Sequence, residues 1–256
     1  MSRLTGKTVF ITGATSGIGK SCAYAFAKEG ASLIITARRI EKLNEITADL
    51  MNAFGVNVLP LKLDVQKREE VKKVIAELPE DWKKIDILVN NAGLGRGLNK
   101  LYEDNPDGWD EMIDTNVKGL LYVTREIIPQ MVERKEGHII MIGSIAGREP
   151  YSKGAVYCAT KFAVNAITRS LRLDVVDKNI RVSTVDPGLV ETGFSEVRFY
   201  GDKETAKNVY KGLTPLIGDD IADAVIYVAT RPAHVNIAEM VVFPTAQAAA
   251  TTVHRE

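Results

Sequence analysis

Four short runs in this chain, VFIT (9–12), LIIT (33–36), DILV (86–89) and IIMI (139–142), are apolar almost without a break. A strand with one solvated face alternates apolar and polar residues. A strand that reads as continuously apolar is covered on both faces, the condition of a parallel sheet between helices. Helical periodicity fills the stretches between such runs. The predicted strands are Thr8–Thr12, Ser32–Ala37, Val58–Leu63, Ile85–Asn90, His138–Ser144, Arg181–Asp186 and Glu239–Phe243. The predicted helices are Lys20–Glu29, Ile40–Phe54, Lys67–Leu78, Trp109–Glu133, Val156–Asp177 and Asp220–Thr230. With right-handed crossovers this alternation gives an α/β fold with a doubly wound parallel sheet. No linker, repeat or low-complexity segment divides residues 1–256, and 45% apolar residues suffice for one sizeable core, so a single domain is expected. The one long irregular stretch expected is 191–215. It follows the sixth strand, where the crevice of such a sheet opens, and reads as a substrate lid or as a structural excursion.

Directly after the first strand come Gly13, Gly17 and Gly19 in GATSGIG, and a helical pattern follows at once. Strand, glycine turn and helix start together aim backbone N–H groups and the positive end of a helix dipole at a pyrophosphate. The spacing is GxxxGxG rather than GxGxxG, so the position at the first strand–helix junction carries more weight than the glycines alone.

A second constellation lies in GSIAGREPYSKGAVYCATK. Tyr157 and Lys161 are four residues apart and share a helix face. A phenol titrates near ~10, and an ammonium about 4–6 Å away favours the phenolate. Ser144, from the end of the preceding strand, supplies a hydroxyl for the oxygen that gains or loses the proton. The three residues make a proton-transfer site for a carbinol or carbonyl. A bare YxxxK is common in helices; its company gives it meaning.

TGATSGIG (12–19), NNAG (90–93), Asn116 in DTNVKG, Ser144, YCATK (157–161) and DPG (186–188) together resemble the short-chain dehydrogenase/reductase superfamily over essentially the whole chain. The segments VRFYGD (197–202), PAHVNI (232–237) and VHRE (253–256) resemble its NADP-dependent 3-hydroxy acid dehydrogenases, the group that includes serine 3-dehydrogenase and L-allo-threonine dehydrogenase. The resemblance implies a Rossmann-like domain with Asn116, Ser144, Tyr157 and Lys161 as catalytic residues. It implies a cofactor held by Gly13, Thr15, Ser16, Gly17, Ile18 and Gly19, with Asp64 and Val65 beside the adenine and Asn91, Ala92 and Gly93 along the adenosine ribose. Tyr157 and Lys161 would face the nicotinamide ribose, and Pro187, Gly188, Val190 and Thr192 would lie along the nicotinamide. Asn116 would hold, through its backbone carbonyl, a water linked to the lysine.

At the end of the second strand the resembling family's NAD-users carry an Asp that binds the ribose 2′-hydroxyl. This chain has Ala37 there, followed by Arg38 and Arg39. No carboxylate repels a 2′-phosphate and two guanidinium groups attract one, which makes the expected cofactor NADP. Ser16 is a countervailing detail, since some NADP-preferring relatives are basic at that place.

The balance of 33 basic and 33 acidic residues points to neither nucleic acid nor a membrane surface as a partner. No apolar run approaches the ~20 residues of a membrane helix. The first strand begins so early that no room is left for a signal peptide, and the cytoplasm is the expected location. Cys22 and Cys158 suggest no disulfide framework, and His138, His234 and His254 have no metal-like spacing, so no metal is expected. The helices Trp109–Glu133 and Val156–Asp177 carry more apolar positions than one sheet face needs. In the resembling family their counterparts pair between subunits, which implies a homotetramer.

These readings converge on hydride transfer between NADP and the 3-hydroxyl carbon of a small 3-hydroxy acid, with Tyr157 as general base and Ser144 positioning the oxygen. The product of such a reaction, a 3-oxo acid, can lose carbon dioxide without help from further residues. The substrate's carboxylate needs a cation. Arg96, Arg148, Lys153 and Arg198 are candidates, and Arg198, in the lid, is the expected one. The alternatives are a ketoreductase for a sugar, steroid or acyl-carrier substrate, and a non-catalytic dinucleotide sensor, for which an activated phenol has no use.

Overall fold

The computed structural model describes residues 2–256. Seven strands form one sheet: β1 (Thr8–Thr12), β2 (Ser32–Ala37), β3 (Val58–Lys62), β4 (Ile87–Asn90), β5 (Gly137–Ile142), β6 (Ile180–Pro187) and, for now unnumbered, a last strand Glu239–Val242. Their spatial order is β3-β2-β1-β4-β5-β6 and then the last strand, and every neighbouring pair is parallel. The strand order reverses between β1 and β4, so a crevice opens beyond their carboxyl ends.

Helices cover both faces, which explains the unbroken apolar runs. Val9, Ile11, Leu33, Ile35, Ile140 and Ile142 point to the layer of α1 (Gly17–Lys28), α2 (Ile40–Phe54) and the penultimate helix Gly218–Ala229. Phe10, Ile34, Leu88, Ile139 and Met141 point to the layer of α3 (Arg68–Ala76), α5 (Leu120–Arg134) and α6 (Ala155–Asp174). Alternate side chains thus enter two separate cores.

Most predicted elements match to within a few residues, and α2 coincides with its predicted span. The predicted helix Trp109–Glu133 is three pieces: α4 (Pro106–Ile113), a π-helical turn Asp114–Gly119, and α5. The turn carries Asn116 inward, and Gly119 lets the chain pass Val65, where a Cβ would come within 2.7 Å of the valine side chain. The strand predicted to run to Ser144 stops at Ile142, because Gly143 crosses Asp186 so closely that a side chain there would overlap its carboxylate. Residues 191–215 are not the sole irregular stretch: residues 91–100, after β4, form a second one.

Within residues 191–215 lie α7 (Phe194–Arg198) and α8 (Lys203–Asn208). The two ends of this stretch are joined by a short parallel pair, β7 (Val190–Glu191) and β8 (Leu216–Ile217). The penultimate helix and the last strand are accordingly α9 and β9. Residues 191–215 therefore form a looped excursion with a closed stem.

Candidate active site

A cleft of about 860 Å³ lies over the carboxyl ends of β1, β4, β5 and β6. At one end the glycine turn leads into α1. Gly13 and Gly17 have φ of +71° and +52°, in the left-handed region where a side chain is strained. A Cβ on Gly13 would press on Ala92 and Asn91 at 3.0 Å. Asn91 is fixed by donating from Nδ2 to the Thr12 and Gly13 carbonyls, at 2.8 and 3.2 Å, and the backbone N–H groups of Asn91 and Ala92 donate to Thr12 Oγ1. Ser16 stands at the N-cap of α1 without a capping hydrogen bond from its own side chain, so the helix start and its N–H groups face the cleft. Gly19 does not line the cleft. Its missing side chain lets α1 approach the Gly13 carbonyl and Asn91.

Farther along this end, Arg38 and Arg39 are exposed at the rim, and Arg39 Nη2 donates to Thr15 Oγ1 at 3.2 Å. Asp64 and Val65 line the wall, with the Asp64 carboxylate accepting the Gln66 N–H at 3.1 Å.

Ser144, Tyr157 and Lys161 meet at the middle of the cleft. β5 delivers Ser144, whose Oγ accepts the Ala146 N–H at 3.1 Å, and α6 delivers the other two. Lys161, only 7% exposed, donates from Nζ to the Ile142 carbonyl at 2.9 Å. Burial brings its ammonium down to about 8 while Asp186 opposes the shift. Burial likewise pushes the Tyr157 phenol well above its ordinary range, and Tyr151 adds to the rise. The Ser144 hydroxyl and the Arg198 guanidinium pull it back. Both groups are desolvated, and the Arg198 guanidinium is a nearby charge that favours the phenolate.

Asn116 lies one layer behind the cleft and does not line it. Its side chain exchanges two hydrogen bonds with the Leu94 peptide, at 2.8 and 2.9 Å, and donates to Thr160 Oγ1 at 3.1 Å. It is fully buried and fastens the 91–100 loop to α6.

Pro187, Gly188, Val190 and Thr192 form the opposite wall, and Thr192 Oγ1 accepts the Phe194 N–H at the base of the lid. Of the four cations considered for a substrate anion, three are engaged or turned away. Arg148 is held by Asp186 and Glu239, Arg96 by Glu111, and Lys153 is exposed outside the cleft. Arg198 lines the cleft, with its guanidinium 5.4 Å from the Tyr157 ring centre.

Sequence reasoning missed Tyr151, Phe194, Tyr210 and Gln247, all of which line the cleft. Phe194 packs its ring 5.5 Å from that of Tyr157. Gln247 reaches in from the C-terminal segment, accepting the Leu189 N–H at 2.8 Å. The apolar and aromatic letters of EPYSKG and TGFSEV were the available signal for Tyr151 and Phe194; nothing in the sequence singles out Gln247.

The family model described as short chain dehydrogenase matches residues 7–201. The NADP-dependent 3-hydroxy acid dehydrogenase of Schizosaccharomyces pombe is 48% identical over 257 residues, covering 100% of this chain and 99% of that protein. The serine 3-dehydrogenase of Rhizobium radiobacter is 42% identical over 251 residues, covering 97% and 98%. Among solved structures, the closed form of a serine dehydrogenase complexed with NADP+ superposes with a TM-score of 0.91 at 44% identity, covering 97% of this chain and 100% of that one.

Proposed function

The chain belongs to the short-chain dehydrogenase family, and from that premise we propose that it oxidises the 3-hydroxyl of a small 3-hydroxy acid with NADP, or reduces the corresponding 3-oxo acid. The observation that carries this reading is the meeting of Ser144, Tyr157 and Lys161 in one cleft under a lid that brings in Arg198.

The cleft fits the cofactor. Gly13, where a Cβ would strike Asn91 and Ala92, lets the glycine turn pack on the loop after β4, and the open N-terminus of α1 favours a pyrophosphate's charge. Arg38 and Arg39 stand at the rim to take a 2′-phosphate. When bound, NADP supplies the acceptor for the substrate's hydride. Ser144 holds the substrate oxygen with its hydroxyl. Tyr157, as the phenolate, takes the hydroxyl proton on its phenol oxygen and becomes neutral, and Arg198 favours the charged form that precedes the transfer. Lys161 anchors the ribose side of the site from its seat on the Ile142 carbonyl. Phe194, Leu94 and Ala146 exclude water around the phenol.

In the same reading the protein is a homotetramer of the cytoplasm. Leu121, Phe162 and Leu173 are exposed on α5 and α6, where apolar side chains suit a subunit contact. Cys22 and Cys158 are free and buried, as suits a reducing compartment. Among the described residues no helix is long and apolar enough to cross a membrane, and no cluster of side chains is arranged to hold a metal ion.

A screen of NADP reduction tests the reading. Turnover with 3-hydroxypropionate, 3-hydroxyisobutyrate, L-serine or L-allo-threonine supports it. Turnover confined to sugars or steroids replaces it with another alcohol dehydrogenase.

A further inference from the structure

Two hydrogen-bond donors at the substrate end of the cleft have no acceptor. Arg198 uses Nε on the Gly97 carbonyl at 2.8 Å and Nη1 on the Tyr151 hydroxyl at 3.0 Å. Its remaining nitrogen, Nη2, is buried and meets no partner. The Tyr151 oxygen accepts from Arg198, which leaves its own O–H to donate elsewhere, and no acceptor for it stands among the described residues. A buried donor without a partner is costly, and two side by side on a cation and its neighbour match an anion with two oxygens.

We propose that Tyr151 and Arg198 form a two-donor clamp for the substrate carboxylate, Tyr151 Oη binding one oxygen and Arg198 Nη2 the other. The proposal rests on the reading of the cleft as a hydroxy-acid dehydrogenase site and adds Tyr151 as the residue that sets specificity for an acid. The geometry suits such a substrate. The guanidinium lies over both rings, 5.4 Å from that of Tyr157 and 5.7 Å from that of Tyr151. An acid whose hydroxyl meets Tyr157 has its carboxylate only two bonds from the reacting carbon, beside the guanidinium. Tyr151 is partly buried against the cluster of Leu94, Met112, Ala146, Tyr157 and Cys158, apolar surroundings in which charge-assisted hydrogen bonds gain strength.

Local backbone features hold both donors in place. A Cβ on Gly154 would strike the Tyr151 ring, so only glycine lets the ring lie as it does, and Lys153 before it adopts φ +66°. A Cβ on Gly95 would press at 2.9 Å on the ring of Phe194, the residue that opens the helix carrying Arg198. One donor comes from the loop after Ser144 and the other from the lid. A carboxylate therefore binds both at once only when the lid is down, and the anion helps to keep it there.

Tyr151→Phe and Arg198→Met are compared with the unaltered enzyme on 3-hydroxypropionate and on its methyl ester, which offers the same hydroxyl without the charge. The ratio of kcat/KM, acid over ester, cancels any loss common to both. The NADP-loaded proteins are also titrated calorimetrically with propionate, which has no hydroxyl to oxidise. The clamp predicts that the ratio falls about tenfold or more in each variant and that propionate binding is lost. Equal losses on acid and ester overturn it. Failure of the unaltered protein to bind propionate, with the ester oxidised as well as the acid, overturns the clamp and leaves the dehydrogenase. Propionate binding that depends on both residues, in a protein that oxidises no alcohol, upholds the clamp and overturns the dehydrogenase.

Discussion

Arg96 grips Glu111 with two parallel hydrogen bonds, Nε to Oε2 at 2.6 Å and Nη2 to Oε1 at 2.9 Å, and turns its third nitrogen to the Val197 carbonyl in the lid. The fork joins α4 to the loop after β4 and through it to α7. Its guanidinium also lies 5.1 Å from the Tyr200 ring, and the Gly97 N–H donates to the Arg198 carbonyl at 2.9 Å. Residues 197–200 are thus fastened to the segment that follows β4.

This latch makes a kinetic prediction. Glu111→Gln and Arg96→Met should each raise KM for a hydroxy acid by about tenfold to a hundredfold, the scale of one lost charge-assisted bond, while kcat changes little. Arg96→Lys should be no better than Arg96→Met, because an ammonium cannot reproduce the fork. Each partner favours the charged form of the other, and the Glu111 carboxyl is held below its ordinary range. The latch is therefore complete above that range and is lost as pH falls through the lowered value. Unchanged KM values in steady-state kinetics would assign the pair no part in holding the lid.

The cofactor end makes a second. Replacing Arg38 and Arg39 by serine should weaken NADP by roughly 1.5–3 kcal/mol per lost contact and leave NAD nearly unaffected, read by fluorescence titration of the reduced cofactors. Equal weakening of both would put the arginines away from the 2′-phosphate.

His138 makes a third, on stability. It is 1% exposed, with Nε2 paired to Ser183 Oγ at 2.8 Å and Nδ1 without a partner, and burial holds its pKa well below the ordinary value. Below pH ~6.5 the unfolded chain takes up a proton that the folded one refuses, so stability falls as pH drops, by at most about 1.4 kcal/mol per unit. His138→Gln, whatever its starting stability, should show a shallower decline between pH 7 and 5 in denaturant titrations. An identical slope would place the acid sensitivity elsewhere.

The sheet was legible because its strands are covered on both faces and so cannot alternate; Phe10 and Ile11 enter different cores yet both are apolar. The glycine turn and the Ser144, Tyr157 and Lys161 constellation were legible because each residue type is needed at its spacing. The π-helical turn was not. Its cause is tertiary, the seating of Asn116 on the Leu94 peptide, and the flanking sequence has unbroken helical periodicity. Arg198 was already favoured from its place in VRFYGD, and the structure adds that Arg96 and Arg148 are paired with carboxylates and Lys153 lies outside the cleft. Tyr151 carries no mark in the sequence that separates it from a packing aromatic.

The central claim, that Tyr157 is the group that takes the proton, is tested most directly by Tyr157→Phe, which removes the phenol oxygen and keeps the ring. With 3-hydroxypropionate as substrate, kcat should fall by at least the ~10²–10⁴ of a lost acid–base group while NADP still binds. A variant that binds NADP and keeps most of its turnover would contradict the account.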